Sequence, residues 1–173
     1  MTQGKGGPIK DFGQLREHFQ GPGGRQAGTS EPPQPPVRPP PAGGLPYRPG
    51  LNGGYFDPAG YIRAEFIVEY AKDIADKLEA GGMTRSLLRN FYSEVMDTKN
   101  LLLGGRPFES LRPRVLKLEA FASNAANRRT SPAPLLFQRF IDENVRVASQ
   151  DSHSFLDGFC QHFECVVLFF RGR

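Results

Sequence analysis

The sequence is short of the features that most active sites, metal centres or membrane spans require. Among its 173 residues are only two cysteines and three histidines. Cys160 and Cys165 stand five apart in a stretch that reads as helix, where 100° per residue turns their side chains about 140° from one another, so no internal disulfide is expected. No apolar run approaches the roughly 20 residues that span a bilayer, which argues against a transmembrane helix. The opening Met1-Thr2-Gln3-Gly4-Lys5 lacks the apolar core of a signal peptide. A cytoplasmic, soluble protein with no membrane partner is expected. No segment sustains period-two alternation, so a sheet is not expected either.

Catalytic patterns are equally scarce. Gly104-Gly105 ends a helical run and no Gly-Lys-Ser/Thr follows, so there is no phosphate-cradling loop. Cys160, His162 and Cys165, with His153 upstream, suggest a metal cluster until helical geometry is applied. Cys160 and His162 then diverge by about 160° and cannot share one ion. Small hydrophobic cysteines near a core are the ordinary reading. Glu164, in the apolar last helix, has no carboxylate or histidine at a spacing suited to acid-base work, which leaves an ion pair as its expected use. The sequence predicts no enzyme, no metal site and no cofactor.

Proline and glycine are abundant but unevenly spread. Eleven of the 16 prolines and 13 of the 20 glycines precede Tyr55. Residues 1–54 therefore read as a disordered arm, because so few apolar anchors cannot offset the entropy of ordering. Pro33, Pro36 and Arg38 satisfy a PxxPxR pattern that docks in SH3-type grooves. Proline-rich linkers meet that pattern by composition alone, and a stiff spacer is the plainer reading. The remaining residues, 55–173, suit one domain.

That domain reads as all-α, a bundle of about five helices. Asp57-Pro58 predicts an N-cap with proline just inside a first helix, along which Ile62, Phe66, Tyr70, Ile74 and Leu78 recur every four residues until Gly81-Gly82. Thr84 caps a second, whose buried stripe is Leu87 or Leu88, Phe91, Val95 and Leu102. Pro107 or Pro113 opens a third, with Leu111, Val115, Leu118, Ala122 and Ala125 facing inward and Arg128-Arg129 at its end. Leu136, Phe140, Asn144 and Val147 outline a fourth. A fifth runs from about Ser152 through Phe155, Phe159, Phe163, Val166 and Phe170. Short connections favour a bundle of sequential neighbours. Val166 to Phe170 is apolar all round, which predicts a subunit contact through Val167 or Phe169.

Charge is segregated along this domain. From Arg85 to Arg139 there are ten basic residues against four acidic, whereas residues 55–84 carry three against six and residues 140–173 three against five. A solvated helix face would account for a modest excess. The excess here is mostly arginine, however, and Arg114, Lys117 and Arg128 fall within about 60° of one another on an ideal helix. Such a face suits phosphate oxygens and 2′-hydroxyls and needs no base-reading code.

Three segments resemble, in order, those of the small subunit of type III-A CRISPR effector complexes (the Csm small-subunit family). Thr84-Arg85-Ser86-Leu87-Leu88-Arg89-Asn90-Phe91-Tyr92-Ser93-Glu94-Val95 is similar to the family's capped helix opening. Ala125-Ala126-Asn127-Arg128 is similar to its Ala-Ala-Gly-Arg, although Asn124 stands where the family usually has tyrosine, with Phe121 one turn earlier. Phe155-Leu156-Asp157-Gly158-Phe159 through Phe163-Glu164-Cys165-Val166-Val167-Leu168-Phe169-Phe170 resembles its closing helix. The likeness spans about residues 61–171. It implies a non-catalytic helical subunit in several stacked copies, partnered by the backbone and large polymerase-like subunits and lining the groove where target RNA meets guide RNA. Arg89 and Arg128 match basic positions of the family motifs; Arg85, Arg114, Lys117 and Arg129 join them as RNA-binding candidates from the charge pattern. Two other readings stay open on the residues themselves: a helix-turn-helix-like DNA-binding regulator, with Thr84 to Phe91 opening its recognition helix, and a helical protein-protein adaptor.

Overall fold

The computed structural model describes residues 44–50, 53–129 and 133–172. Expectations for residues 1–43, including the Pro33, Pro36 and Arg38 pattern, lie outside the described residues. Among those described, the elements run α1 (Ala64–Ile67), α2 (Glu69–Ala80), α3 (Arg85–Leu103), α4 (Phe108–Ala126), α5 (Leu135–Ala148), a π-helical turn (Ser154–Cys160) and α6 (Gln161–Phe169). With α1 and α2 separated only by Val68, and the π turn running into α6, five helical rods result. The extended structure among the described residues is one isolated bridge, Phe56 to Ile62.

The first helix starts later than the sequence predicts. Asp57-Pro58-Ala59-Gly60 forms a turn instead, with the Asp57 carboxylate accepting from the amides of Ala59 (2.9 Å) and Tyr61 (3.0 Å), and the Gly60 amide donating to the Asp57 carbonyl at 3.0 Å. Aspartate, then proline, then glycine at the fourth position is also the composition of a β-turn. The turn wins here because residues on both sides of it pair, the amide of Asp57 donating to the carbonyl of Tyr61 at 2.8 Å. Helix begins only at Ala64.

Later boundaries follow their punctuation. After α2, Gly82 adopts a φ of 83° and the Met83 amide reaches the Leu78 carbonyl at 2.9 Å, a Schellman closure that any residue with a Cβ would strain. The Thr84 hydroxyl caps α3 by accepting from the Leu87 amide at 3.3 Å. Pro107, not Pro113, is the cap of α4, and Pro113 sits inside the helix. Leu88, Phe91 and Val95 of α3 and the whole expected stripe of α4 are buried. In α5 the core position falls to Phe137 rather than Leu136, which is half-buried.

The last rod is the centre of the core. Phe155, Phe159, Phe163 and Val166 are fully buried, and α6 lies along α2 while the π turn lies against α5. A Cβ on Gly158 would overlap the ring of Tyr55, so only glycine admits that ring here. Tyr55 in turn donates its hydroxyl to Asn144 Oδ1 at 2.7 Å, and Asn144 Nδ2 donates to the Phe140 carbonyl at 2.7 Å. Both buried polar groups are thereby satisfied. Packing also extends upstream of Tyr55, the start expected for the domain: Leu45 joins the core, and the ring of Tyr47 stacks on Tyr70 at 4.9 Å.

Beside this cluster His162 is buried, with Nδ1 2.7 Å from the Phe66 carbonyl. A carbonyl can only accept, so Nδ1 carries the proton. Burial outweighs that bond and lowers the imidazole pKa to about 4. Cys160 and Cys165 are free thiols, and burial pushes Cys160 up to about 12. Among the described residues no helix is long and apolar enough to cross a membrane.

Candidate nucleic-acid interface

All six basic candidates are exposed, but the helices distribute them over two faces. Arg114 projects from the flank of α4 that turns toward α3, and Lys117, three residues on, lies about 60° from it around the helix. Arg114 Nη2 stands 3.9 Å from Glu94 Oε2, a loose exposed pair that contributes little to stability. Arg128 follows the α4 cap Asn127 and lines an open groove of about 240 Å³ with Asn90, Phe91 and Glu94 of α3 and Phe121 and Asn124 of α4. A second hollow along the same seam takes in Asp97, Asn100, Leu101 and Arg114. The seam between α3 and α4 thus has one arginine toward each end and Glu94 between them.

Arg85 and Arg89 belong elsewhere. They lie nine and five residues before Glu94 on one helix, which rotates them about 180° and 140° away from it. The Arg85 guanidinium donates to the carbonyls of Arg171 and Gly172, tying the start of α3 to the end of the chain. Arg89 shares its flank, and Arg129 lies beyond Arg128 in the connection toward α5. The sequence pattern grouped Arg114, Lys117 and Arg128 on one face, and the geometry keeps Arg114 and Arg128 on one seam. It does not bring Arg85 or Arg89 to that seam.

Phe121, Asn90, Asn124 and Glu94 were not among the RNA-binding candidates from the sequence, where Asn124 and Phe121 figured only as a departure from the family motif. Phe121 lies off the inward stripe of Leu118, Ala122 and Ala125 and is 47 % exposed, but single exposed apolar side chains are ordinary, so its position off the stripe was no signal of a site. The other three look like ordinary helix-surface residues until α3 and α4 are set side by side.

Residues earlier weighed as metal ligands are engaged differently. His162 is committed to the Phe66 carbonyl, and His153 Nδ1 meets Asp157 Oδ2 at 2.8 Å while its ring stacks on Phe56 at 4.1 Å. Among the described residues no three His, Cys, Asp or Glu side chains are grouped to hold an ion.

No curated protein and no solved structure matches the chain. A family model described as Csm2 Type III-A matches residues 62–172, a stretch that contains every helix from α1 to α6. That match covers well over half of the chain and includes the three segments whose likeness was read from sequence. The chain belongs to the Csm2 Type III-A family, the small subunit of the type III-A CRISPR effector.

Proposed function

We propose that this subunit is non-catalytic and holds RNA in the assembled effector, gripping the backbone of target RNA or of the guide-target duplex through contacts that read no sequence. The observation that carries the reading is the pair of exposed arginines on the α3/α4 seam, Arg114 and Arg128, with the exposed Lys117 on α4 between them, in a chain of this family. Arginine forks to phosphate oxygens and can reach 2′-hydroxyls, and phosphate contacts position a strand irrespective of its bases. Arg89 and Arg129 extend the basic surface around the bundle, and Arg85 is the remaining candidate, its guanidinium bonded to the carbonyls of Arg171 and Gly172. Sequence specificity then comes from pairing with the guide.

Replacing Arg89 and Arg128 together with alanine in the assembled complex is expected to weaken RNA retention and to flatten its dependence on salt, by roughly 0.7–0.9 in log-log slope for each lost phosphate contact. A filter-binding titration across salt concentrations measures both. Unchanged affinity and slope would remove these two residues from the interface.

Assembly is assigned to the end of α6, through contact with a neighbouring subunit or another copy of this chain. Val167 is half-buried, Phe169 is 36 % exposed, and Leu168 between them is 76 % exposed. An apolar end of this kind favours a partner over water. Phe169→Ser should therefore reduce co-purification of the chain with the effector several-fold while shifting its own melting midpoint by only a few degrees. Full recovery of the variant in the complex would rule the contact out.

A further inference from the structure

The groove between α3 and α4 contains more than a phosphate-binding surface needs. Its apolar wall is the exposed ring of Phe121 together with Phe91. Its rim carries two amides, Asn90 and Asn124, a carboxylate, Glu94, and the guanidinium of Arg128. Among the described residues the side chains of Asn90, Asn124 and Arg128 make no hydrogen bond, and the Phe121 ring stacks on no other ring. Glu94 has only its 3.9 Å approach to Arg114. An unstacked aromatic face, three polar groups with unused hydrogen-bonding capacity and a cation at one end are complementary to a flat ring with a polar edge attached to an anion.

We infer that this groove holds one unpaired base of a bound RNA strand, stacked on Phe121, with its polar edge toward Asn90, Glu94 and Asn124 and the adjoining phosphate on Arg128. The inference rests on the RNA-holding role proposed above and adds a base-dependent contact to it. The volume of about 240 Å³ lies below the roughly 300–1,000 Å³ of pockets for drug-sized ligands and suits a single nucleotide base. Stacking on an aromatic side chain tightens binding by roughly five- to 150-fold per base in single-strand binders and tolerates any base, because every base has a π face. The rim adds a bias. A carboxylate accepts hydrogen bonds and cannot donate them. Glu94 therefore favours bases with an exocyclic amino group, adenine among them, over uracil, whose one edge donor, N3–H, is flanked by two carbonyls that the carboxylate repels.

The full-length chain should be titrated by fluorescence anisotropy with oligoadenylate, oligouridylate and an abasic ribose-phosphate oligomer of equal length. Oligoadenylate is expected to bind about tenfold more tightly than the abasic oligomer, the increment of one stacked base. Phe121→Ala should bring that ratio close to one, and Phe121→Tyr should keep it. Glu94→Gln, whose amide can also donate, should narrow the gap between adenylate and uridylate. If the wild-type chain binds all three oligomers equally and with strong salt dependence, the base site is overturned while backbone binding stands. An unchanged ratio in Phe121→Ala overturns it as well. If none of the oligomers binds, the base site is overturned, whereas the RNA-holding role stands or falls on the filter-binding titration of the assembled complex.

Discussion

Phe163→Ala will lower the unfolding free energy of the bundle by about 3–5 kcal/mol, the usual cost of emptying a buried phenylalanine site that cannot collapse. Phe163 is fully buried where the helices converge. Its ring lies 5.6 Å from Phe140 of α5, 5.7 Å from Phe159 one turn earlier, 6.1 Å from Tyr92 of α3 and 6.4 Å from Phe137. Truncation thus removes apolar area and several ring-ring contacts together. Against a typical total of about 5–15 kcal/mol, the loss is a large fraction of the stability. A urea titration of Phe163→Ala beside Leu168→Ala is decisive, since the exposed Leu168 position should move by no more than about 0.5 kcal/mol. Equal small effects at both positions would mean that the last rod is not the centre of the core.

Acid should weaken the fold through His162. Its pKa falls from 6.5 to about 4, chiefly because the ring is buried away from water, with the bond to the Phe66 carbonyl opposing the shift. Above pH 6.5 the ring is neutral in both folded and unfolded chains, and His162 adds no pH dependence. Between pH 6.5 and 4 the unfolded chain takes up a proton that the folded chain refuses, so stability falls as pH falls, and below about 4 the slope vanishes. At about 1.4 kcal/mol per pKa unit the full loss is about 3 kcal/mol. Glu119 and Asp142 contribute with opposite sign at low pH, because burial raises their carboxyl pKa values. The comparison must therefore be made against His162→Asn, whose amide nitrogen can replace the Nδ1 donor but does not titrate. Denaturant midpoints of the two proteins should converge below pH 6.5 relative to their separation at neutral pH. Parallel curves would refute the assignment.

Most of the bundle could be read from spacing. The stripes of α3 and α4 run for several turns with nothing competing; Gly82 closes the helix before them, and Thr84 and Pro107 mark their starts. Where the reading departed from the structure, two local rules were in conflict. Asp57-Pro58 suits a helix start and a turn alike, and only the pairing of Phe56 with Ile62 decides between them. The π turn left no mark, because phenylalanines four apart at 155, 159 and 163 fit either helix, and the role of Gly158 depends on Tyr55, far away in sequence. The candidate interface was legible as charge but not as shape. Arg114 and Arg128 stood out as cations on one helical face, whereas Asn90, Glu94 and Asn124 become a rim only across two helices. Arg85 looked equivalent to Arg89 until the chain terminus folded back onto it.

The notch at Gly158 bears on what the family's shared segment can do alone. The family match begins at residue 62, yet the ring that fills the notch and bonds Asn144 belongs to Tyr55, just upstream. The common segment therefore carries a socket whose plug comes from outside it. In this chain the size of the residue at position 158 and the ring at position 55 are therefore coupled, and one can change only together with the other.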